Sequence, residues 1–258
     1  MSSDNLESPT ENEGAGEKQV PESVPEAPKP TLPSGSFLLV DYTIRIKETG
    51  ELVDTTSEEE AKEAGIYDAS RLYEPRLAII GKGMLLKAIE DELVTMSVGE
   101  SKKFEISPEK AFGQRDPGKV KVYPIRKFKD IEAPLAVGAR VNIDGKEGII
   151  RSIGSGRVQV DFNPYLAGKT LVCDVTVREL ITDDQEKIQQ IIHNRLPDVD
   201  IQKFTVEFTP PEVSIIIPEE AYLLPTLQVA KRLIAKEIQE SIQGIERVKI
   251  IELYTRQA

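Results

Sequence analysis

Few residues in this chain can carry covalent or metal chemistry. It has one cysteine, Cys173, and one histidine, His193. A lone cysteine excludes a disulfide framework within the chain, and one Cys with one His does not make a His/Cys metal site. Cys173 lies on an alternating apolar stretch and reads as a small buried hydrophobe, not a reactive thiol. His193 stands near the end of a helical segment and reads as a solvated or helix-capping side chain. The acidic run Glu58–Glu60 reads as a solvated helix face. Phenols and carboxylates are plentiful, with seven tyrosines and 44 acidic residues, and elimination singles out none of them. By residue type alone Tyr42 is a strand residue, Asp54 a turn residue, and Leu85, Leu86 and Ile89 a core face.

The elements that must position these groups follow from composition and period. The chain has 258 residues, 44 acidic and 33 basic, for a net charge of −11. That balance argues against nucleic acid as a direct partner, because phosphate neutralisation needs clustered Lys and Arg. No apolar run reaches the roughly 18 residues that span a bilayer, and no basic-then-apolar leader opens the sequence. The expectation is a cytoplasmic, multi-domain protein with no membrane partner. Residues 1–34 carry seven acidic residues against two lysines, with six prolines. Such a segment buries too little apolar surface to offset its ordering entropy and is expected to be disordered.

From Phe37 the texture changes. Leu38, Val40, Tyr42, Ile44 and Ile46 alternate with mostly polar residues, which predicts a half-buried strand over 37–46. Glu51–Asp54 reads as its return strand, 57–64 as a short helix, 65–75 as a loop and 76–80 as a strand. Leu86, Ile89 and Leu93 recur on one face and predict a helix over 84–94. A strand follows at 101–106. Short strands are expected at 119–123, 140–143, 148–153 and 157–162, with tight turns at Gly145, Gly154 and Gly156. Leu171–Val177 alternates cleanly and should pair with the first strand. Beyond Ile181 the order is α-β-β-α-β. Asp183 or Asp184 caps the first of these helices, and Gly244 follows the second.

Three motifs give this order a family likeness: GELVD at 50–54, MSVGE at 96–100 and SPEKAFG at 107–113. With IIGKGMLLKAIEDELVT before the second and TLVCDVTVREL at 170–180, residues 37–113 and 170–180 resemble an FKBP-type peptidyl-prolyl isomerase. The segments VYPIRKF at 122–128 and DFNPYLAGKTL at 161–171 resemble the insert-in-flap domain of the SlyD-like branch. The C-terminal unit is placed as in the long archaeal forms. The resemblance implies an α+β fold: an FKBP-like antiparallel sheet wrapped on a short helix, an inserted small β domain, and a C-terminal α-β-β-α-β domain. The expected domains are a tail at 1–34, an isomerase domain at 35–113 plus 166–180, an insert at 114–165, and a C-terminal domain at 181–258.

The chemistry so implied is rotation about the X-Pro amide, opposed by a barrier of about 18–20 kcal/mol from amide resonance. It needs no covalent step and no cofactor. An apolar pocket that strips water from the twisted amide, with a few oriented polar groups, suffices. Carried over by motif, Tyr42, Asp54, Leu85, Leu86, Ile89 and Phe112 are the implied catalytic residues. Val53, Arg76 and Cys173 are implied substrate contacts. Four of these depart from the family pattern. Ile89 replaces an aromatic floor, Phe112 a tyrosine, Cys173 a phenylalanine, and Arg76 an apolar residue, with Leu77 one register step away. These changes predict weak turnover of short peptides. Tyr123, Ile125, Phe128, Ile131, Leu135 and Val137 give the insert more apolar groups than so small a unit buries. The resemblance makes the surplus a client-holding patch for unfolded or nascent chains. A homodimer through the C-terminal domain is expected. The alternatives are a catalytically weak or inactive holdase, perhaps ribosome-bound, and a metal-handling protein, which the tail LYTRQA does not support.

Overall fold

The computed structural model describes residues 31–128 and 135–255. The disorder expected over residues 1–30, and the patch residue Ile131, therefore lie outside the described residues. At 31–34 the expectation of disorder is corrected, because the Leu32 N–H donates to the Val94 carbonyl at 2.8 Å and its side chain packs against the core of the first sheet. In chain order the elements are β1 Phe37–Ile46, β2 Leu52–Thr55, α1 Glu58–Glu63, β3 Arg76–Ile79, α2 Lys87–Leu93 and β4 Ser101–Ile106. Then come β5 Val120–Pro124, β6 Arg140–Ile143, β7 Lys146–Gly154, β8 Arg157–Asp161 and β9 Leu171–Ile181. Last are α3 Asp184–Arg195, β10 Thr205–Thr209, β11 Glu212–Ile217, α4 Leu227–Ser241 and β12 Arg247–Glu252. The fold is α+β, as the sequence indicated. Among the described residues no helix is long and apolar enough to cross a membrane.

The first sheet runs β2-β1-β9-β4, with β3 also paired to β1. Strand β1 is long enough to serve two partners on one edge, β3 along Phe37–Val40 and β2 along Thr43–Arg45, while β9 takes the other edge. The period of two sends Leu38, Val40, Tyr42, Ile44 and Ile46 to one face. There they join Ile89 and Leu93 of α2 and Leu171, Cys173, Val175 and Val177 of β9 in one core. The other face is apolar only at one end. Phe37, Leu77, Ile79 and Ile181 meet Ile188, Ile191 and Ile192 of α3 in a second core that continues into the C-terminal unit. This explains why β9 extends four residues past the predicted Val177, since Glu179, Leu180 and Ile181 pair with Leu39, Leu38 and Phe37.

Helix α2 starts later than its periodicity suggested. Gly81 and Gly83 take positive φ values of 84° and 67°, and Leu86 is extended, with ψ of 136°. Glycine adopts that left-handed backbone without a Cβ penalty, so the chain turns sharply and approaches the helix as a strand-like arm. Helix α3 is capped by the Asp183 side chain, which accepts from the Glu186 N–H at 2.9 Å. The insertion forms a separate sheet, β5-β8-β7-β6, over its own core of Phe128, Val141, Ile143, Ile150, Val158 and Val160. The C-terminal unit carries a third sheet, β10-β11-β12, covered by α3 and α4.

Candidate active site

Where β1, β2 and the arm before α2 converge, a cavity of about 410 Å³ opens. It is lined by Tyr42, Val53, Asp54, Arg76, Leu85, Leu86, Ile89 and Phe112, together with Ile44, Gly83, Met84 and Leu171. Eight of the nine residues expected of the pocket thus share one hollow, of a size usual for small-ligand sites. Ile89 forms a fully buried floor. Neither the Leu85 nor the Leu86 backbone N–H donates to another group among the described residues, so both stay available at the wall. Phe112 follows a short 3-10 turn at Pro108–Lys110 and leaves its ring 43% exposed.

The ninth residue, Cys173, lies elsewhere. It is fully buried between Ile44 of β1 and Phe104 of β4, and it does not line the cavity. Leu171, two residues earlier on the same face of β9, takes the wall instead. Burial pushes the Cys173 thiol up to about 12, in keeping with an inert core residue. The register of β3 settles the choice between Arg76 and Leu77. Arg76 faces the cavity, while Leu77 faces the opposite side and packs in the core shared with the C-terminal unit.

The polar end of the pocket is a compact network. The Tyr42 hydroxyl donates to Asp54 Oδ2 at 2.8 Å. Arg71 Nη1 donates to Asp54 Oδ1 at 2.5 Å, and its Nη2 donates to the Thr55 carbonyl at 3.0 Å. The Thr55 N–H also donates to Asp54 Oδ1, at 2.9 Å. Asp54 is therefore held from three sides. Burial, and next the Asp54 carboxylate beside it, push the Tyr42 hydroxyl up to about 12. Arg71 was not identified from the sequence. It comes from the 65–75 loop, 17 positions from Asp54, and only tertiary folding shows that this arginine, among the loop's charged residues, reaches the pocket. The loop shapes itself around it: Arg71 stacks on the Tyr73 ring at 5.3 Å, and Asp68 Oδ1 accepts from the Ser70 N–H at 2.9 Å.

A larger hollow of about 680 Å³ lies on the outer face of the same sheet. Charged side chains line it and partly neutralise one another, as in Arg178–Asp41 and Arg45–Glu60. It shares only Tyr42 with the apolar cavity. Water already solvates such a surface, so it offers no means of stripping solvent from an amide.

The insert begins directly behind Phe112. Its two connections are stitched together: Gly168 N–H donates to the Gly113 carbonyl at 2.8 Å, and Asn163 exchanges two 2.9 Å bonds with the Asp116 backbone. Of the expected patch residues, Ile125, Leu135 and Val137 are exposed. Phe128 is not, because it sits in the insert core, and Tyr123 is half-buried with its ring edge-on to Phe128 and Phe162. Small as it is, the unit needs those rings to close its own core. Val122 and Ile153, absent from the expected patch, are exposed.

Comparison with known proteins agrees with this geometry. Residues 29–132 match the FKBP-type peptidyl-prolyl cis-trans isomerase family, residues 121–166 the FKBP26 IF domain, and residues 184–255 the FKBP26 C-terminal domain. A short-type peptidyl-prolyl cis-trans isomerase of Methanocaldococcus jannaschii is 34% identical over 155 residues, covering 60% of this chain and 98% of the relative. The FKBP-type 16 kDa peptidyl-prolyl cis-trans isomerase of Escherichia coli is 30% identical over 58% of this chain and 94% of its own length. The SlyD isomerase of Helicobacter pylori is 29% identical over 44% of this chain and 65% of its own length. An apolar cavity closed at one end by a tyrosine–aspartate pair, built largely from residues within the matched region and with a short-type isomerase 34% identical over 98% of its length, places the chain among the FKBP-type peptidyl-prolyl cis-trans isomerases, in a long form that adds an IF and a C-terminal domain.

Proposed function

We propose that this chain isomerises X-Pro bonds in unfolded or nascent proteins, and that its insert holds those clients while the pocket acts. The observation that carries this reading is the junction at Gly113–Gly168, which joins the insert to the chain one residue beyond the pocket residue Phe112. An extended client has two ways to engage the insert. Val122 and Val137 are each more than half exposed, and β5, which carries Val122, is an edge strand open to strand addition. Tethering raises the concentration of prolines at the pocket, so a slow pocket still accelerates folding. Self-association through the C-terminal unit belongs to the same proposal, supported by exposed Val229 and Leu233 on α4. We take the clients to be cytoplasmic proteins as part of the same proposal.

The test compares a short X-Pro peptide with an unfolded protein whose refolding is proline-limited. The expected result is clear acceleration of the protein, weak turnover of the peptide, and loss of the former alone in Ile125→Ser/Val137→Ser. Equal effects of that variant on both substrates would overturn the reading. The aliphatic floor at Ile89 and the missing hydroxyl at Phe112 favour one rival, a holdase. Suppression of aggregation without isomerisation, persisting in Asp54→Ala, would identify it.

A further inference from the structure

The chain's single histidine is not solvated at a helix end, as its sequence position suggested. His193 Nε2 lies 2.6 Å from Glu74 Oε1, in a bond that links α3 of the C-terminal unit to the loop beside the pocket. Its Nδ1 is buried and has no hydrogen-bond partner among the described residues. Leaving a ring nitrogen so is costly, so the ring is placed for the Glu74 contact, not by a second partner. The helix itself cannot drift, because Ile188, Ile191 and Ile192 anchor it in the core shared with Phe37, Leu77 and Ile79.

What His193 holds is a segment wired to the pocket. Glu74 lies three residues after Arg71, which grips Asp54 at 2.5 Å, and two residues before Arg76, which lines the cavity. Pro75 stands between. Its ring locks its own φ, and it restricts Glu74 to extended backbone, so Glu74–Arg76 moves as a stiff unit. The loop before it has no helix or strand from Gly65 to Pro75. Among the described residues, its side chains hydrogen-bond to the rest of the molecule through Arg71 on Asp54 and Thr55 and through Glu74 on His193, while Lys62 of α1 lies over the Tyr67 ring at 5.0 Å near the loop's start. A cavity of about 260 Å³ separates this loop from α3, so packing alone does not hold the two together.

We infer that His193 is a positioning residue for the isomerase pocket. By holding Glu74, it sets the loop that delivers Arg71 to Asp54 and Arg76 to the wall, and so makes the C-terminal unit part of the active-site machinery. The inference goes beyond the client-holding role of the insert and does not depend on it.

The test uses the full chain with His193→Ala, His193→Gln, Arg71→Ala and the Arg71→Ala/His193→Ala pair. Peptide kcat/KM is measured alongside amide hydrogen exchange across residues 65–76, a readout that needs no turnover. One lost hydrogen bond at this site predicts a roughly threefold to tenfold fall in kcat/KM for His193→Ala, with faster exchange in the loop. Glutamine restores an N–H donor of similar reach, so His193→Gln should recover both readouts. Because the two residues act through one loop, the double variant should lose little more than Arg71→Ala alone. Unchanged exchange and turnover in His193→Ala, additive losses in the pair, or failure of glutamine to rescue a folded protein would each overturn the inference. A wild-type chain without measurable turnover would bear on the isomerase itself, and the exchange data would still decide whether His193 orders the loop.

Discussion

Restoring a hydroxyl at Phe112 should speed the enzyme, an outcome few substitutions at a pocket residue share. The ring lines the cavity and is 43% exposed, so an added oxygen meets open space and carries little overpacking cost. A tyrosine there can donate to the substrate backbone as the amide twists and its carbonyl loses resonance. A net hydrogen bond contributes about 0.5–1.5 kcal/mol, and about 1.4 kcal/mol is a decade of rate. Phe112→Tyr should therefore raise kcat/KM on a short X-Pro peptide roughly twofold to tenfold. The gain belongs at the low end if water competes at the open edge of the ring. The assay is peptide isomerisation near about 10 °C, where the uncatalysed reaction takes minutes and a weak enzyme is readable above it. Under the proposed capture of clients by the insert, the gain on an unfolded protein should be smaller than on the peptide. Unchanged or lower peptide turnover in a variant of unaltered stability would show that the para position of this ring does not face the reacting amide. The placement of the proline site over Ile89 would then be refuted.

Asp54→Asn removes the charge that Tyr42 and Arg71 share, and the Arg71 Nε is already buried without a partner. It should lower peptide turnover by about a decade or more and stability by about 1–3 kcal/mol, read from urea midpoints. Alkaline pH acts through groups whose folded-state values are raised, Cys173 from 9.0 and Tyr42 from 10.0, each to about 12. The folded chain keeps protons that the unfolded chain releases, so stability should hold below about pH 9 and fall between there and about pH 12. Tyr42→Phe should remove the Tyr42 share of that slope in urea titrations between pH 8 and pH 11. In Gly148→Ala the new Cβ would sit 2.6 Å from Val160 Cγ1 and 2.9 Å from the Phe162 ring. That crowding should destabilise the insert by about 1–3 kcal/mol and slow protein refolding while leaving peptide turnover unchanged.

What the sequence displayed well was period. The alternation along Phe37–Ile46 and Leu171–Val177 identified two paired strands, and the GELVD and SPEKAFG motifs brought Asp54 and Phe112 to one cavity. What it displayed poorly were contacts between segments distant in the chain. Arg71 carries no local signal that separates it from any loop arginine. His193 looks exposed on its helix because its partner, Glu74, is 119 residues away. Cys173 and Leu171 share a face, and motif position could not tell which of them reaches the cavity. Helix α2 begins late because Gly81 and Gly83 set the path of the preceding arm, while the hydrophobic period continues through it regardless.

The outer end of the first sheet gives the C-terminal unit a meaning that its sequence alone does not suggest. A sheet with one solvated face should alternate apolar and polar residues to its ends. Strand β1 breaks that rule at Phe37, and β3 breaks it at Leu77 and Ile79, all of which are buried against α3. A short-type relative matched over 98% of its length by 155 residues of this chain has little room for a counterpart of residues 184–255. In this chain that end of the sheet is buried on both faces. Without its C-terminal unit it would present Phe37, Leu77, Ile79 and Ile181 to water, at about 25 cal/mol for each Å² exposed. The C-terminal unit is thus joined by a continuous core, not by a linker. Across that continuous core, His193 on α3 lies 2.6 Å from Glu74 in the loop beside the apolar cavity.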